Sequence, residues 1–206
     1  MHLKDMQQIR ESFVSRHSLL RSLADELEVK TRQALEDVPH IDRIAFRAKG
    51  VESFVAKASK EKYSHPLRQL EDQVAGRVIT FFRDDIAVVR DVLMTWFGDV
   101  EHEIKAPAIA QEFGYESEHF VFVIPDHMKS DEWQEIADMP ETFEFQIRTL
   151  FMHAWAEPQH DLGYKGDPDP EVKRELAWIA ASAWGADRTL NEVARKLSPQ
   201  GSGELT

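Results

Sequence analysis

The pattern of apolar and polar positions predicts a long helix at each end of the chain. From Met6, apolar residues recur every three, four or seven positions, which is the spacing of an amphipathic helix. We expect this helix to continue to Val38-Pro39, because a residue that precedes proline avoids the helical region. A second helix is predicted over 171–197. The apolar positions are Met6, Ile9, Phe13, Leu20, Leu23 and Leu27 in the first helix, and Leu176, Ile179, Ala183 and Leu190 in the second.

Shorter runs between these helices have strand character, with β-branched and aromatic residues or a strict alternation of apolar and polar positions. Further helices are predicted from Gly50 to Lys57, over 86–97, and from Phe151 to Pro158, which is expected to interrupt or kink the last one. Together these elements predict an α+β fold, with a mixed sheet of about five strands flanked by helices. The expected strands are 43–49, 75–82, 99–105, 119–125 and 142–149.

Composition narrows the class of protein. The chain has 206 residues, 25 basic and 37 acidic side chains, a formal net charge of −12 and no cysteine. Its length fits one domain with helical arms, and the absence of cysteine excludes disulfides and thiolate metal sites. No run approaches about 18 apolar residues, and the amino terminus lacks the apolar core of a signal peptide. We therefore expect a soluble, cytoplasmic protein without a membrane partner, and the acidic excess disfavours general coating of nucleic acid.

The strand at 142–149 separates two kinds of side chain. Because successive side chains of a strand point to opposite faces, Glu144, Gln146 and Arg148 share one face, and apolar side chains share the other. A half-solvated strand shows the same alternation. A functional interpretation therefore depends on whether other polar groups meet this face.

Arg47, Lys49, Ser53 and Lys57 are one such group. Arg47 and Lys49 share a face of the first strand, and Ser53 and Lys57 follow at helical spacing. Cations at the junction of a strand and a helix suit a polyanion, since the helix amino end adds partial positive charge. Scattered surface lysines would give the same spacing, so the motif alone leaves both interpretations open.

Two acidic positions suggest a magnesium site. Asp72 precedes the strand at 75–82, and Asp72 with Glu144 could hold Mg²⁺ together with nucleotide phosphates. An acid before a strand is also a common turn residue. Arg77 either faces the same site or packs beneath it. In the loop that leads into the strand at 119–125, Tyr115 could stack on a base. His119, at the start of that strand, could contact phosphate or ribose.

A competing interpretation involves His153, Glu157 and His160, which fall at i, i+4 and i+7 and could ligate zinc or manganese with His119. Pro158 threatens the helix that this geometry needs. The sequence contains no G-x-x-x-x-G-K phosphate loop, G-x-S-x-G elbow or G-x-G-x-x-G fingerprint, which argues against the common ATPase, hydrolase and dinucleotide-binding classes.

Taken in chain order, five motifs resemble the synthetase domain of the RelA/SpoT family, in particular its small single-domain alarmone synthetases and their toxic relatives. The resemblance covers about residues 40–165, and the final helix is similar to the closing helix of the family. It implies a single synthetase domain over 1–197, with an N-terminal helical arm (1–38), a catalytic core (40–165), a closing helix (171–197) and a flexible tail (198–206). The motifs are R47-A-K49-x-x-x-S53-x-x-x-K57, E71-D72-Q-V-A-G76-R77, G114-Y115-x-S117-x-H119, F143-E144-F-Q146-I-R148-T149 and H153-A-W155-A-E157…H160-D-L-G-Y164-K165.

The resemblance further implies a nucleotidyltransferase-like sheet and a magnesium-dependent pyrophosphokinase, which moves the β,γ-diphosphate of ATP onto a ribose 3′-hydroxyl and releases AMP. Asp72 and Glu144 would be the catalytic, metal-binding pair, with Glu144 either completing the metal site or accepting the hydroxyl proton. The implied ATP-binding residues are Arg47, Lys49, Ser53, Lys57 and Arg77, and the implied acceptor-binding residues are Lys105, Tyr115, Ser117, His119, Gln146 and Arg148.

The acceptor loop departs from the family pattern. Its usual lysine and asparagine are absent, Lys105 is the candidate replacement for the lysine, and Glu112, Glu116 and Glu118 are expected to bring negative charge to the acceptor phosphates. The leading acceptor is GTP or GDP. The alternatives are the 3′ end of tRNA or an adenosine nucleotide, as used by a toxic relative with a neutralising antitoxin, and a regulatory module that has lost acceptor binding. The family also suggests homo-oligomers formed through the terminal helices.

Overall fold

A computed structural model describes residues 3–107, 113, 116–163 and 169–197. Its helices and strands are interspersed along the chain. The tail predicted to be flexible, 198–206, lies outside these residues, and the division into arm, core and closing helix stays a prediction. None of the described helices is both long and apolar enough to cross a bilayer. The helices are α1 (Leu3–Ala34), α2 (Val51–Ala58), α3 (Pro66–Gln69), α4 (Arg83–Trp96), α5 (Asp131–Glu135), α6 (Leu150–Gly163) and α7 (Pro170–Leu197). The strands are β1 (Ile41–Ala48), β2 (Val74–Thr80), β3 (Asp99–Lys105), β4 (Ser117–Val123) and β5 (Thr142–Thr149).

The described strands form one mixed sheet in the order β1-β2-β5-β4-β3. The two inner neighbours β2 and β5 run parallel, and the other neighbouring pairs are antiparallel. This arrangement confirms the predicted α+β class and the mixed five-stranded sheet. It also places the two strands that carry Arg77 and Glu144 side by side at the centre of the fold.

One face of the sheet is apolar and holds the core. Phe120, Phe122, Phe143 and Phe145 are buried there, and α1 and α4 pack against the sheet. The predicted stripe of α1 is confirmed, since Phe13, Leu20, Leu23 and Leu27 are buried and Met6 and Ile9 pack against the core. Burial of these side chains stabilises the fold by about 2 kcal/mol for each large apolar residue.

Gly76 allows two aromatic rings to meet beneath β2. A Cβ atom at this position would lie 2.4 Å from Cε1 of Phe46 and 2.6 Å from Cδ2 of Phe145. The two rings are themselves 5.5 Å apart. A residue without a side chain is therefore required next to Arg77, and this contact explains the glycine of the predicted G76-R77 motif.

Side chains of α1 cover the free edge of β1. The Glu28 Oε2 atom accepts a hydrogen bond from the Phe46 amide at 3.1 Å, and Arg32 Nη2 donates to the Ile44 carbonyl at 2.6 Å. Arg32 also pairs with Glu28 at 2.8 Å. Two outward backbone groups in the middle of this edge strand are thereby satisfied within the chain.

Two predicted helix ends are wrong. The helix α1 ends at Ala34 and not at Val38, because the chain turns through 35–37 and His40 adopts a φ of 62° before β1. The interruption expected at Pro158 does not occur, since α6 passes through Pro158 to Gly163, and the alternative of a kink there stays a prediction. Ala154, whose carbonyl loses its hydrogen-bond donor at Pro158, lies on the exposed side, so water can take the place of the missing amide.

The predicted apolar side of α7 is wrong at two of its four positions, since Leu176 and Ala183 are half-buried but the other two are exposed. Ile179 is 48% exposed and Leu190 is 39% exposed, whereas the buried residues of this helix are Ala180, Asp187 and Asn191. The helix packs against α6 and α4, and two buried polar side chains, Asp187 and Asn191, make its contacts with the amino end of α4. The predicted homo-oligomer remains a prediction.

Replacing Gly76 with alanine tests the close approach of Phe46 and Phe145. We expect Gly76→Ala to destabilise the protein by about 1–3 kcal/mol, because buried rings must shift to admit the methyl group. Urea unfolding of the variant measures this change. The matched control is Gly98→Ala, where a Cβ atom meets nothing within 4 Å. Equal midpoints for the two variants would contradict the proposed contact.

Candidate active site

The polar face of the sheet brings most of the predicted site residues together. In the register of the parallel pair, Ala75 lies opposite Glu144 and Arg77 opposite Gln146. Arg47 lies opposite Ala75 on one side, and His119 lies opposite Gln146 on the other. Since paired residues share a face, side chains from four strands converge there. Arg77 therefore faces the site and does not pack beneath it.

Asp72 joins the end of β1 to α2 at the edge of this face. Its Oδ2 atom accepts from Lys49 Nζ at 2.6 Å and from Lys57 Nζ at 2.9 Å. Burial alone would lower the pKa of Lys57, but the hydrogen bond and charge of Asp72 outweigh it and raise that pKa. Lys57 is therefore held as a cation beside this carboxylate, and Lys49 donates to the same oxygen. Ser53 is exposed on α2, one turn before Lys57.

The other oxygen of Asp72 fits a bound cation. Asp72 Oδ1 is buried and has no hydrogen-bond partner, which leaves a carboxylate lone pair free. No group of three or more potential His, Asp or Glu ligands occurs among the described residues. A cation held here would therefore depend on substrate phosphates for its other ligands, as Mg²⁺ commonly does.

Glu144 is held as a carboxylate on the polar face of β5. Its Oε1 atom lies 3.2 Å from His119 Nδ1 and accepts from Gln146 Nε2 at 2.8 Å. Burial raises the pKa of Glu144, but the hydrogen bonds from His119 and Gln146 and the charge of Lys57 lower it to about 2. Glu144 is therefore ionised throughout the neutral range and is a weak proton acceptor.

A chain of polar contacts continues from Glu144 along β5. Arg148 donates to Gln146, and its Nη1 atom lies 3.6 Å from Glu157 Oε1 on α6. Arg77 Nη1 donates to the same Glu157 oxygen at 2.5 Å. Glu157 therefore orients two arginines that belong to different strands.

Arg77 and Glu157 border a cavity of about 480 Å³ on the β1 side of the face. Small side chains at Ala45 and Ala75 leave the space open. Burial lowers the pKa of His153, and the charges of Arg148, Arg77 and Arg43 lower it further, so its ring stays neutral near pH 7. The other lining residues are Arg43, Phe46, Arg47, Arg77 and Glu157.

The sequence analysis did not assign Arg43 or Glu157 to this cavity. Arg43 shares its strand face with Arg47 by simple alternation, and that signal was available. Glu157 was considered only as a metal ligand. It engages Arg77 and lies 3.6 Å from His153 Nδ1, and the described residues give the metallohydrolase alternative no support. The His160 side chain lies outside the described part.

A second, smaller cavity of about 130 Å³ lies on the β3 side of Glu144. It contains the predicted acceptor residues Lys105 and His119. Ser117 is buried, and its hydroxyl donates to the Ile147 carbonyl at 3.2 Å. This hydrogen bond joins β4 to β5. Tyr115 lies outside the described residues. The cavity is lined by Glu71, Glu101, Glu103, Lys105, His119, Phe120, Val121 and Glu144.

The prediction that Glu116 and Glu118 bring negative charge to the acceptor is wrong, because both pair with arginines. Glu116 pairs with Arg83 at 2.8 Å, and Glu118 pairs with Arg90 at 3.2 Å on the opposite face from His119. Glu112 lies outside the described residues. The acidic groups that do line the cavity come from β3 and from Glu71, whose pKa is raised by burial and by the carboxylates of Glu101 and Glu144.

Two cavities on one polar sheet face, separated by a carboxylate-bearing strand and bordered by cations, define an enzyme that handles phosphorylated substrates. The sequence profile described as "Region found in RelA / SpoT proteins" matches residues 46–169, more than half of the chain. The chain belongs to this family, which confirms the family prediction.

Known proteins support the same class. GTP pyrophosphokinase YjbM of Bacillus subtilis (strain 168) is 29% identical over 183 residues, which cover 84% of each chain. The crystal structure of small alarmone synthetase 1 from Bacillus subtilis superposes with a TM-score of 0.72 and 27% identity, over 87% of this chain and 94% of that one. Its structure with the product pppGpp gives a TM-score of 0.69 at 27% identity, over 85% and 92%. The chain is therefore a pyrophosphotransferase, as predicted.

The low pKa of Glu144 predicts a specific acid dependence of stability. Because its pKa falls from 4.5 to about 2 on folding, ionised Glu144 stabilises the fold above pH 4.5, and this contribution is lost as pH falls towards 2. Urea unfolding at pH 5, 4 and 3 should show wild type losing stability relative to Glu144→Gln, by roughly 1–3 kcal/mol over the window. A constant difference between the two proteins would show that the carboxylate is not held in this way.

Proposed function

We propose that the protein transfers the β,γ-diphosphate of ATP to the 3′-hydroxyl of GTP or GDP, forming (p)ppGpp and AMP. The 3′ oxygen would attack the β-phosphorus and release its proton to solvent, and the bond from that phosphorus to the oxygen that bridges it to the α-phosphorus would break, so that AMP leaves with that oxygen. The observation that carries this proposal is the pair of cavities on either side of Glu144. Diphosphoryl transfer requires two bound nucleotides, with the attacking and leaving oxygens in line at the phosphorus. Most of its catalysis comes from positioning the two substrates and from stabilising the charge of the transition state.

The donor belongs in the cavity on the β1 side. Arg43, Arg47 and Arg77 supply cations that stack on a base or bind phosphate, and alanine side chains leave room for a ring. Lys49 and Lys57 lie at the amino end of α2 and at its last turn, where both donate to Asp72. We assign the polyphosphate chain to these lysines, with Ser53 beside them.

Asp72 and Glu144 would hold Mg²⁺, whose charge would offset that of the transferring phosphates. For Glu144, the low pKa favours holding a cation and orienting groups over accepting the hydroxyl proton. His119 and Gln146 keep the carboxylate in place before substrate arrives. Arg148, which Glu157 orients, points its charge towards the phosphates.

The relatives support the guanosine acceptor. YjbM is named a GTP pyrophosphokinase, and small alarmone synthetase 1 has been crystallised with pppGpp as its product. The acidic cavity favours a second candidate. Glu71, Glu101 and Glu103 disfavour an acceptor with several 5′ phosphates, since like charges about 4 Å apart repel by roughly 1–4 kcal/mol near a surface. The 3′ terminus of tRNA, attached through one phosphate, fits this charge pattern, although the net charge of −12 opposes the rest of the tRNA.

An acceptor survey tests the proposed function. Purified protein with Mg²⁺ and ATP labelled in the β-phosphate is offered GTP, GDP, GMP, ATP or bulk tRNA in separate reactions. We expect label in a guanosine product. Label confined to tRNA would favour the second candidate, and label confined to an adenosine product would reject guanosine as acceptor. No transfer to any acceptor, with ATP binding retained, would overturn the proposed activity and favour a regulatory nucleotide-binding module.

Charge removal at the two carboxylates tests the reacting centre. We expect Glu144→Gln and Asp72→Asn each to lower turnover by about 10²–10³-fold, because both remove charge that the transition state needs, without removing core packing. The matched controls are Glu141→Gln and Asp126→Asn, whose carboxylates are mostly exposed and pair with Lys129. Steady-state kinetics with circular dichroism separates the outcomes. Turnover within threefold of wild type in both test variants would reject the site.

A further inference from the structure

The closing helix α7 is attached to α4 through buried polar groups. Asp187 is 1% exposed, and its Oδ2 atom lies 3.5 Å from Arg83 Nη1 at the start of α4. Asn191 is 5% exposed, and its side-chain oxygen accepts from the Asp84 amide at 3.0 Å. These contacts fix α7 beside the end of β4 that leads into the acceptor cavity.

Glu116 connects this helix pair to the segment before β4. One carboxylate oxygen accepts from Trp184 Nε1 on α7 at 2.9 Å, and the other accepts from Arg83 Nη1 on α4 at 2.8 Å. Arg83 therefore lies between two carboxylates, Glu116 and Asp187. Because both oxygens of Glu116 are engaged and its donors come from two helices, the backbone at 116 is held from two directions.

The same tryptophan reaches a second point of the loop. The rings of Phe113 and Trp184 meet edge to face with centroids 5.5 Å apart. The Arg188 guanidinium lies over the Trp184 ring, 4.3 Å from the ring centroid. In sequence, Phe113 and Glu116 bracket Gly114-Tyr115. Trp184 thus contacts the two residues that flank this pair in sequence, and Tyr115 is the residue predicted to stack on the acceptor base.

Glu116 also leads directly into the catalytic face. Ser117 begins β4, and its hydroxyl donates to the Ile147 carbonyl of β5. Two residues beyond it, His119 binds Glu144. A shift of position 116 would therefore act on the acceptor segment and on the orientation of His119, without touching the arginines and lysines of the donor cavity.

We propose that Glu116 and Trp184 are positioning residues for the acceptor: α7 holds the acceptor segment through the Glu116 carboxylate. This inference rests on the proposed function for its acceptor, but its geometry comes from contacts outside both cavities that the chemistry uses. It assigns to the glutamate of the G-Y-E-S-E-H stretch a role in anchoring the loop to α4 and α7. It also gives a reason for the two buried polar residues of α7, Asp187 and Asn191, since a purely apolar contact would not fix the direction of a carboxylate.

Two substitutions test the anchor while keeping its shape. Trp184→Phe removes the Nε1 donor but keeps a ring against Phe113, and Glu116→Gln keeps an acceptor for Trp184 but removes the charge that faces Arg83. The matched control is Arg195→Ala, which breaks the ion pair of Arg195 with Asp84, with distances of 2.5 and 2.6 Å, between the same two helices without contacting Glu116. Tyr115→Ala serves as a reference for loss of base stacking.

Steady-state kinetics is measured with each substrate varied in turn, together with thermal unfolding. We expect Trp184→Phe and Glu116→Gln to raise the acceptor KM about tenfold, in the same direction as Tyr115→Ala, with the KM for ATP and the kcat at saturating acceptor within about twofold of wild type. We expect Arg195→Ala to leave both KM values unchanged, whatever its effect on the unfolding temperature.

Three outcomes would overturn the inference. In the first, Trp184→Phe and Glu116→Gln change the acceptor KM no more than Arg195→Ala does. In the second, these two variants change the KM for ATP as much as the acceptor KM. In the third, they lower kcat and leave both KM values unchanged. Calorimetric titration with GDP keeps the test separate from the proposed function. If wild type binds GDP but transfers nothing, the proposed activity fails, while weaker GDP binding in the two variants than in Arg195→Ala still supports the anchor.

Discussion

The parallel pairing of β2 with β5 at the centre of the sheet determines where the charged groups of these two strands lie. Alternation along each strand sends Phe143 and Phe145 into the core and Glu144 and Gln146 to the other face. The register then places Arg77 beside Gln146. A shift by one residue would bury the carboxylate among phenylalanines, so the apolar core and the site depend on the same register.

Charge within the site is balanced locally, although the chain as a whole is acidic. Asp72 is neutralised by two lysines, and Glu157 by two arginines. Because each carboxylate is matched by at least one cation, the donor side carries surplus positive charge within a chain of net charge −12. The acceptor side differs, since Lys105 is the one lysine or arginine lining that cavity in the described residues, and four glutamates surround it. The two halves of the site are therefore electrostatically unlike.

Local periodicity explains how much of this could be predicted. The alternation in 142–149, the apolar stripe of α1 and the spacing from Arg47 to Lys57 depend on neighbours in sequence, and the structure bears out the strand, the buried stripe and the common location of the charged groups. The burial of α7 depends on partners about 100 residues away, such as Arg83 with Asp187. Periodicity carries no such information, and it wrongly placed Ile179 and Leu190 on the buried side of the helix. The pairing of Glu116 and Glu118 with arginines was missed for the same reason.

The covering of β1 by Glu28 and Arg32 has a consequence for how the chain tolerates damage. Those two side chains occupy backbone groups that would otherwise offer a template to any passing extended peptide. Clipping or melting the amino-terminal helix would uncover that template and several phenylalanines together. Loss of the first helix would thus lead towards self-association and precipitation, and not towards a smaller working enzyme.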